Sequence, residues 1–284
     1  MGDTTVLPFY RGQQHDVFSS YAVEEQKDRV RAFVSNSHLQ VLPVYVENKK
    51  QKAGSSILNM APSDSMALQP YFDINGSQDE SPELKAVIAA RGMQKHPEGG
   101  YFVETDRDPL RIPNPLPTPS AVSDEDKTRS ASTTIHYLLT PKSPLGAWHR
   151  NKARTVHTLH RGRGRYVIIH ADEVASEKCP GGYGDAGVPE EDRWSGKARV
   201  EVFTVGQNVL QGERLQWIVE GGKYKTSFLL PDEWRGDGSE GLLISETVSP
   251  GFEYSDHDFM QAERLAALVT EDEAAEMQWM LRKE

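Results

Sequence analysis

The sequence predicts an all-β sandwich or barrel with flanking helices, on three observations. Nine short apolar-rich runs alternate with Gly/Pro turns between residues 93 and 252. No helical periodicity separates those runs, which argues against a doubly wound sheet. Helical patterns occur only at the flanks, before residue 93 and after residue 256.

Residues 1–80 read as an extension with its own texture. A short helix is predicted over 22–34, where Val23, Val30 and Phe33 are apolar. A strand follows over 40–47, and Pro43 confines it to a sheet edge because proline cannot donate to a ladder. Residues 48–70 are rich in Lys, Ser, Ala and Met without a clear period and read as a linker.

A helix then starts at a clear signal. Ser81 can cap it, Pro82 suits its first position, Leu84, Val87 and Ile88 make its apolar stripe, and Gly92 stops it. The nine predicted strands cover 100–104, 132–139, 146–150, 155–159, 166–170, 199–205, 214–219, 225–230 and 242–248. Two polar insertions, 109–127 with five prolines and 171–197 with many Gly and acidic residues, are too long for hairpin turns and read as lids or surface loops. Helix returns over 256–269, and Thr270 with Glu273 forms a capping box for a last helix ending near Lys283. The expected organisation is an extension (1–80), a β domain (81–268) and a C-terminal helix (269–284).

Composition narrows the function classes. A net charge of −10, from 42 acidic against 32 basic residues, repels polyanions and argues against a nucleic-acid partner. The basic run Arg161-Gly162-Arg163-Gly164-Arg165 reads as a hairpin turn with solvated arginines rather than a phosphate clamp. No apolar run approaches the ~18 residues of a membrane span. With no secretory leader pattern and Cys179 as the one cysteine, a cytoplasmic setting is expected.

Several motifs group together: His96-Pro97-Glu98-Gly99-Gly100-Tyr101-Phe102-Val103-Glu104-Thr105, Arg129 with Ser132-Thr133, Trp148-His149-Arg150, Gly212-Glu213 with Gln216, and Ser249-Pro250-Gly251-Phe252 with Asp256 and Phe259. On these residues the chain resembles the DUF985 (Cupin_5) family of RmlC-like cupins over roughly residues 84–268. The resemblance implies a double-stranded β-helix, the jelly-roll cupin barrel, usually dimeric, with a central cavity for a small molecule. A homodimer is therefore expected, with residues 40–47 as an added edge strand.

Metal-binding cupins place two histidines two apart, then a glutamate, then a glycine, and add a later histidine. Aligned with that pattern, this chain has His149, Asn151, Thr155 and Gly162, then Gly222 and Lys225. One ligand remains, and an ammonium group stands where the last histidine would be. Strand alternation puts Thr155, His157 and Leu159 on one face, so His149 and His157 alone are expected inside. The expectation is therefore no metal and no cofactor.

Glu246 would enter the same interior, where a carboxylate needs a partner. A histidine–carboxylate pair can abstract a proton next to a carbonyl. The sequence thus points to metal-independent acid–base chemistry of isomerase, epimerase, cyclase or lyase type on a sugar or secondary metabolite. His149 or His157 is the expected base and Glu246 its orienting partner. Arg129, His136 or Tyr137, Asn151, Thr155, Gln216 and Lys225 are the expected substrate contacts. Glu246 could instead pair structurally with Arg129, and Lys225 could extend to the barrel mouth. The alternatives are a metal-dependent dioxygenase and a ligand-binding cupin without catalysis.

Overall fold

The computed structural model describes residues 68–76, 79–116, 127–179, 188–232, 236 and 238–283. The helix over 22–34 and the edge strand over 40–47 lie outside the described residues.

The described chain runs α1 (Pro82–Arg91), β1 (Gln94–Lys95), β2 (Tyr101–Arg107), β3 (Arg111–Pro113), β4 (Thr128–Ser130), β5 (Thr133–Leu139), β6 (Leu145–Arg150), β7 (Arg154–Arg161) and β8 (Gly164–Ile169). It continues with α2 (Glu190–Arg193), β9 (Val200–Val205), β10 (Gln216–Val219), β11 (Tyr224–Leu229), β12 (Leu242–Ser249), β13 (Asp258–Phe259), α3 (Ala262–Leu268) and α4 (Glu271–Met277). All nine predicted strands are present. The helix expected over 256–269 is shorter: residues 254–256 form a single 3-10 turn, β13 follows, and α3 begins only at Ala262.

The local signals act as expected at the helix ends. Leu84 N–H donates to Ser81 Oγ at 3.2 Å. Gly92 adopts φ 63°, a conformation that costs a glycine little, and closes α1. Thr270 and Glu273 make the reciprocal capping box of α4.

The strands form two antiparallel sheets. One has the order β1-β2-β5-β12-β7-β10 and the other β13-β6-β11-β8-β9. A small ribbon of β3 and β4 brackets the proline-rich insertion. Period-two alternation splits each strand between an inner and an outer face. On the inner face, Tyr137, Leu159, Tyr166, Phe203, Trp217, Leu229, Leu242 and Ile244 build a core from both sheets. Outside the five-stranded sheet, Trp148, Val167, Tyr224 and Phe228 pack with Leu265, Leu268, Met277 and Met280 of the C-terminal helices and turn. Outside the six-stranded sheet, α1 buries Leu84 against Tyr101, Leu138 and Leu243. Among the described residues, no helix is long and apolar enough to cross a membrane.

Candidate functional site

Two polar clusters enter the interior. The first is built by strand register. Glu246 on β12 lies directly across from His157 on β7. Lys225 reaches them from β11 of the other sheet. Its Nζ is 2.7 Å from Glu246 Oε2 and 2.7 Å from His157 Nε2, while His157 Nε2 is 3.3 Å from the same carboxylate. His157 also stacks on Trp217, its cross-strand neighbour on β10, with centroids 5.1 Å apart and planes 9° apart.

These contacts set the charges. Burial raises the Glu246 carboxyl, but the charges and hydrogen bonds of Lys225 and His157 outweigh it and hold the group well below the usual range. Burial lowers His157, and the neighbouring Lys225 lowers it further. The cluster is therefore an ammonium–carboxylate pair with a neutral imidazole beside it. Burial also pushes the phenols of Tyr137 and Tyr166 well above their ordinary value.

The second cluster is assembled by loops. The turn between β1 and β2 is tight: Gly99 N–H donates to His96 O at 3.0 Å, and Gly99 and Gly100 take φ 108° and 70°. Ala147 N–H donates to Glu98 O at 2.8 Å, which ties this turn to β6 beside His149. His257 arrives from the segment before β13, and Phe259 of that strand pairs with His149. Glu98 Oε1 lies 2.6 Å from His257 Nε2 and 3.2 Å from His149 Nε2. The two imidazoles are parallel, 5.2 Å apart and 8° from coplanar orientation. His149 Nδ1 sits 2.8 Å from the Ala147 carbonyl oxygen.

Burial pushes His149 down to about 3, with Glu98 opposing and Lys225 reinforcing the shift. Burial would raise Glu98, but the surrounding imidazoles hold it at about 2. With His149 neutral, the group that donates to the Glu98 carboxylate is His257.

Between the clusters lies a cavity of about 80 Å³. Glu98, Glu246, Tyr137 and Asn151 face it, and Phe102 and Phe252 supply apolar wall. Arg107 stands at its edge, engaged with Glu104 and Glu253.

The structure redistributes the residues expected from sequence. His149, His157, Thr155, Lys225 and Glu246 are buried. Lys225 turns inward and does not extend to a barrel mouth. Of His136 and Tyr137, it is Tyr137 that faces the interior. His136 lies on the opposite face of β5, against Arg91 and His160, so it does not contact the cavity. Gln216 is exposed and hydrogen-bonds Thr158, because the inward positions of β10 are Trp217 and Val219. Arg129 does not reach Glu246; it forms a buried ion pair with Asp256 at 3.1 Å. Sequence reasoning missed Glu98 and His257. The first was used only as part of the motif running from His96 to Thr105, although that motif sets a carboxylate close to an imidazole. The second has no local signal, because its partners arrive from elsewhere in the chain.

Fold and matched sequence together define a cupin. The family model of the cupin superfamily DUF985, Cupin_5, matches residues 85–260, and the chain belongs to that family. It is 37% identical over 226 residues to the uncharacterized protein YML079W of Saccharomyces cerevisiae, covering 78% of this chain and 98% of the yeast protein. A solved hypothetical protein from Leishmania major is 26% identical with a TM-score of 0.51, covering 70% of this chain and 98% of that one. Protein SO0799 of Shewanella oneidensis is 20% identical with a TM-score of 0.49, covering 73% and 100% of the two chains.

Proposed function

We propose that this protein is a cupin enzyme that moves a proton on a small organic molecule, an isomerase- or lyase-type reaction next to a carbonyl. The two sheets would be the two walls of a jelly-roll barrel, with the cavity at its centre. The observation that carries the reading is the placement of Glu246. Its carboxylate faces the cavity while Lys225 and His157 grip it from behind.

This reverses the roles expected from sequence. His157 is fully buried and has no path to a substrate, so Glu246 is the proton acceptor and His157 and Lys225 are positioning residues. A carboxylate held this strongly ionised is a weak base, so it suits a carbon already acidified by a carbonyl. Asn151 supplies hydrogen bonds for substrate oxygens, and Tyr137, whose hydroxyl donates to Gly99 O at 2.8 Å, can accept one from a substrate hydroxyl. Three carboxylates, Glu98, Glu104 and Glu246, against the one guanidinium of Arg107 around so small a space disfavour an anionic group. The reacting end of the substrate is therefore neutral and oxygenated, as in a sugar or a hydroxy ketone.

Deuterium exchange tests this directly. Incubation with a panel of neutral aldoses, ketoses and hydroxy ketones in D2O should wash out a carbon-bound proton of at least one compound, read by proton NMR. Glu246→Gln should reduce the rate by at least about 100-fold, the usual scale of a general base. Exchange no faster than in Glu246→Gln across the whole panel would refute the proposal.

A further inference from the structure

We infer that Glu98, His149 and His257 form a binding site for a divalent first-row transition-metal ion beside the cavity that Glu98 and Glu246 both line. Such a site lies beyond the proton-transfer reading, and the first sign of it is how one ring is held. The Ala147 carbonyl oxygen, 2.8 Å from His149 Nδ1, can only accept a hydrogen bond. Nδ1 therefore carries a proton, and Nε2 is the ring nitrogen turned toward Glu98 Oε1, 3.2 Å away.

The remaining geometry fits a metal ion. His257 Nε2 meets the same carboxylate oxygen, and the two rings stack in parallel so that both nitrogens face one carboxylate. One donor atom from each residue lies within 4.8 Å of the others. An ion bound at about 2.1 Å in tetrahedral geometry needs donors about 3.4 Å apart, so the two carboxylate–imidazole contacts of 2.6 and 3.2 Å would open by less than about 1 Å. A backbone carbonyl fixing the second ring nitrogen is the support that metal-bound histidines usually have. Two imidazoles and one carboxylate suit zinc, iron(II), manganese or nickel rather than calcium or magnesium. Because Glu98 lines the cavity, open coordination positions would face a bound molecule.

The site differs from the expectation of no metal because that expectation counted only strand residues. Two of the three donors come from loops.

The test uses the full chain, stripped with chelator and titrated with Zn2+ by calorimetry and with Co2+ by visible absorption. One ion per chain is expected, with the d–d bands of a nitrogen- and oxygen-ligated cobalt ion. Glu98→Gln and His257→Ala should each weaken binding by more than about 100-fold, beyond the loss typical of a supporting residue. His170→Ala, which alters a separate surface cluster with Glu173 and Glu201, should bind as the wild type does. Circular dichroism and thermal melts establish that each variant is folded, and Glu98→Gln retains side-chain shape if His257→Ala does not fold. Absence of stoichiometric binding, or binding unchanged in Glu98→Gln, would overturn the inference.

Discussion

Replacing Lys225 with methionine isolates the electrostatics of the interior. The two side chains have similar length, so the change removes charge with little change in packing. Lys225 is 3% exposed and Glu246 11%, and they touch at 2.7 Å. Deleting one member of a buried ion pair leaves an uncompensated charge and typically costs about 3–5 kcal/mol. Here a second acceptor of positive charge is already in place, because His157 Nε2 is 3.3 Å from Glu246. In the wild type, burial and Lys225 keep that imidazole lowered from 6.5. Without Lys225, the carboxylate remains and the repelling ammonium is gone, so the folded-state value of His157 should rise toward its ordinary value although burial still lowers it. A histidine lowered less on folding loses less stability as pH falls below 6.5, so the variant should lose less than the wild type on acidification. The deficit of Lys225→Met should therefore be about 3–5 kcal/mol at high pH. It should shrink by about 1–2 kcal/mol near pH 5, since a tenfold gain in proton affinity is worth about 1.4 kcal/mol. Urea denaturation followed by tryptophan fluorescence at several pH values measures both quantities. A deficit below about 1 kcal/mol at high pH, or one that grows on acidification, would refute the reasoning. Lys225→Met with Glu246→Gln should recover most of the loss, because no unpaired charge remains.

Wild-type stability should itself fall on acidification. The folded-state values of His157 and Glu246 are both lowered, from 6.5 and 4.5, so their stabilisation is present above those values and is lost as pH drops below them. The slope should be about 1.4 kcal/mol per pH unit for each proton withheld, and His157→Gln should reduce it by about that amount between pH 6.5 and 5 while His149, which burial holds at about 3, keeps its share, as urea midpoints would show. Arg129→Met breaks the ion pair with Asp256, in which the two side chains are 2% and 1% exposed. It should cost about 3 kcal/mol in the same assay, and a change within about 0.5 kcal/mol would mean the pair has no structural weight.

Much of the β architecture was legible because side-chain direction along a strand is a local property with a period of two. That period placed Thr155, His157 and Leu159 on one face and allowed Glu246 to be expected inside. The ends of α1 were equally legible, since Ser81, Pro82 and Gly92 act through backbone geometry within a few residues. Periodicity alone could not decide between His136 and Tyr137, which are adjacent and point to opposite faces. Pairing of β5 with β2 and β12 settled that choice by fixing which face is buried.

The site depended on contacts that no local pattern encodes. Lys225 meets Glu246 across the gap between two sheets, and nothing near either residue names its partner. Arg129 was expected to touch substrate, or else to pair with Glu246, for the same reason: its actual partner, Asp256, lies 127 residues away. Glu98 and His257 are 159 residues apart and come from a turn and a loop, where side-chain direction follows no period. Sequence determined which strands form and which face each residue takes, because those follow from the backbone and its nearest neighbours. Tertiary structure decided which charged groups meet, because that depends on the register of distant strands and the path of the loops between them.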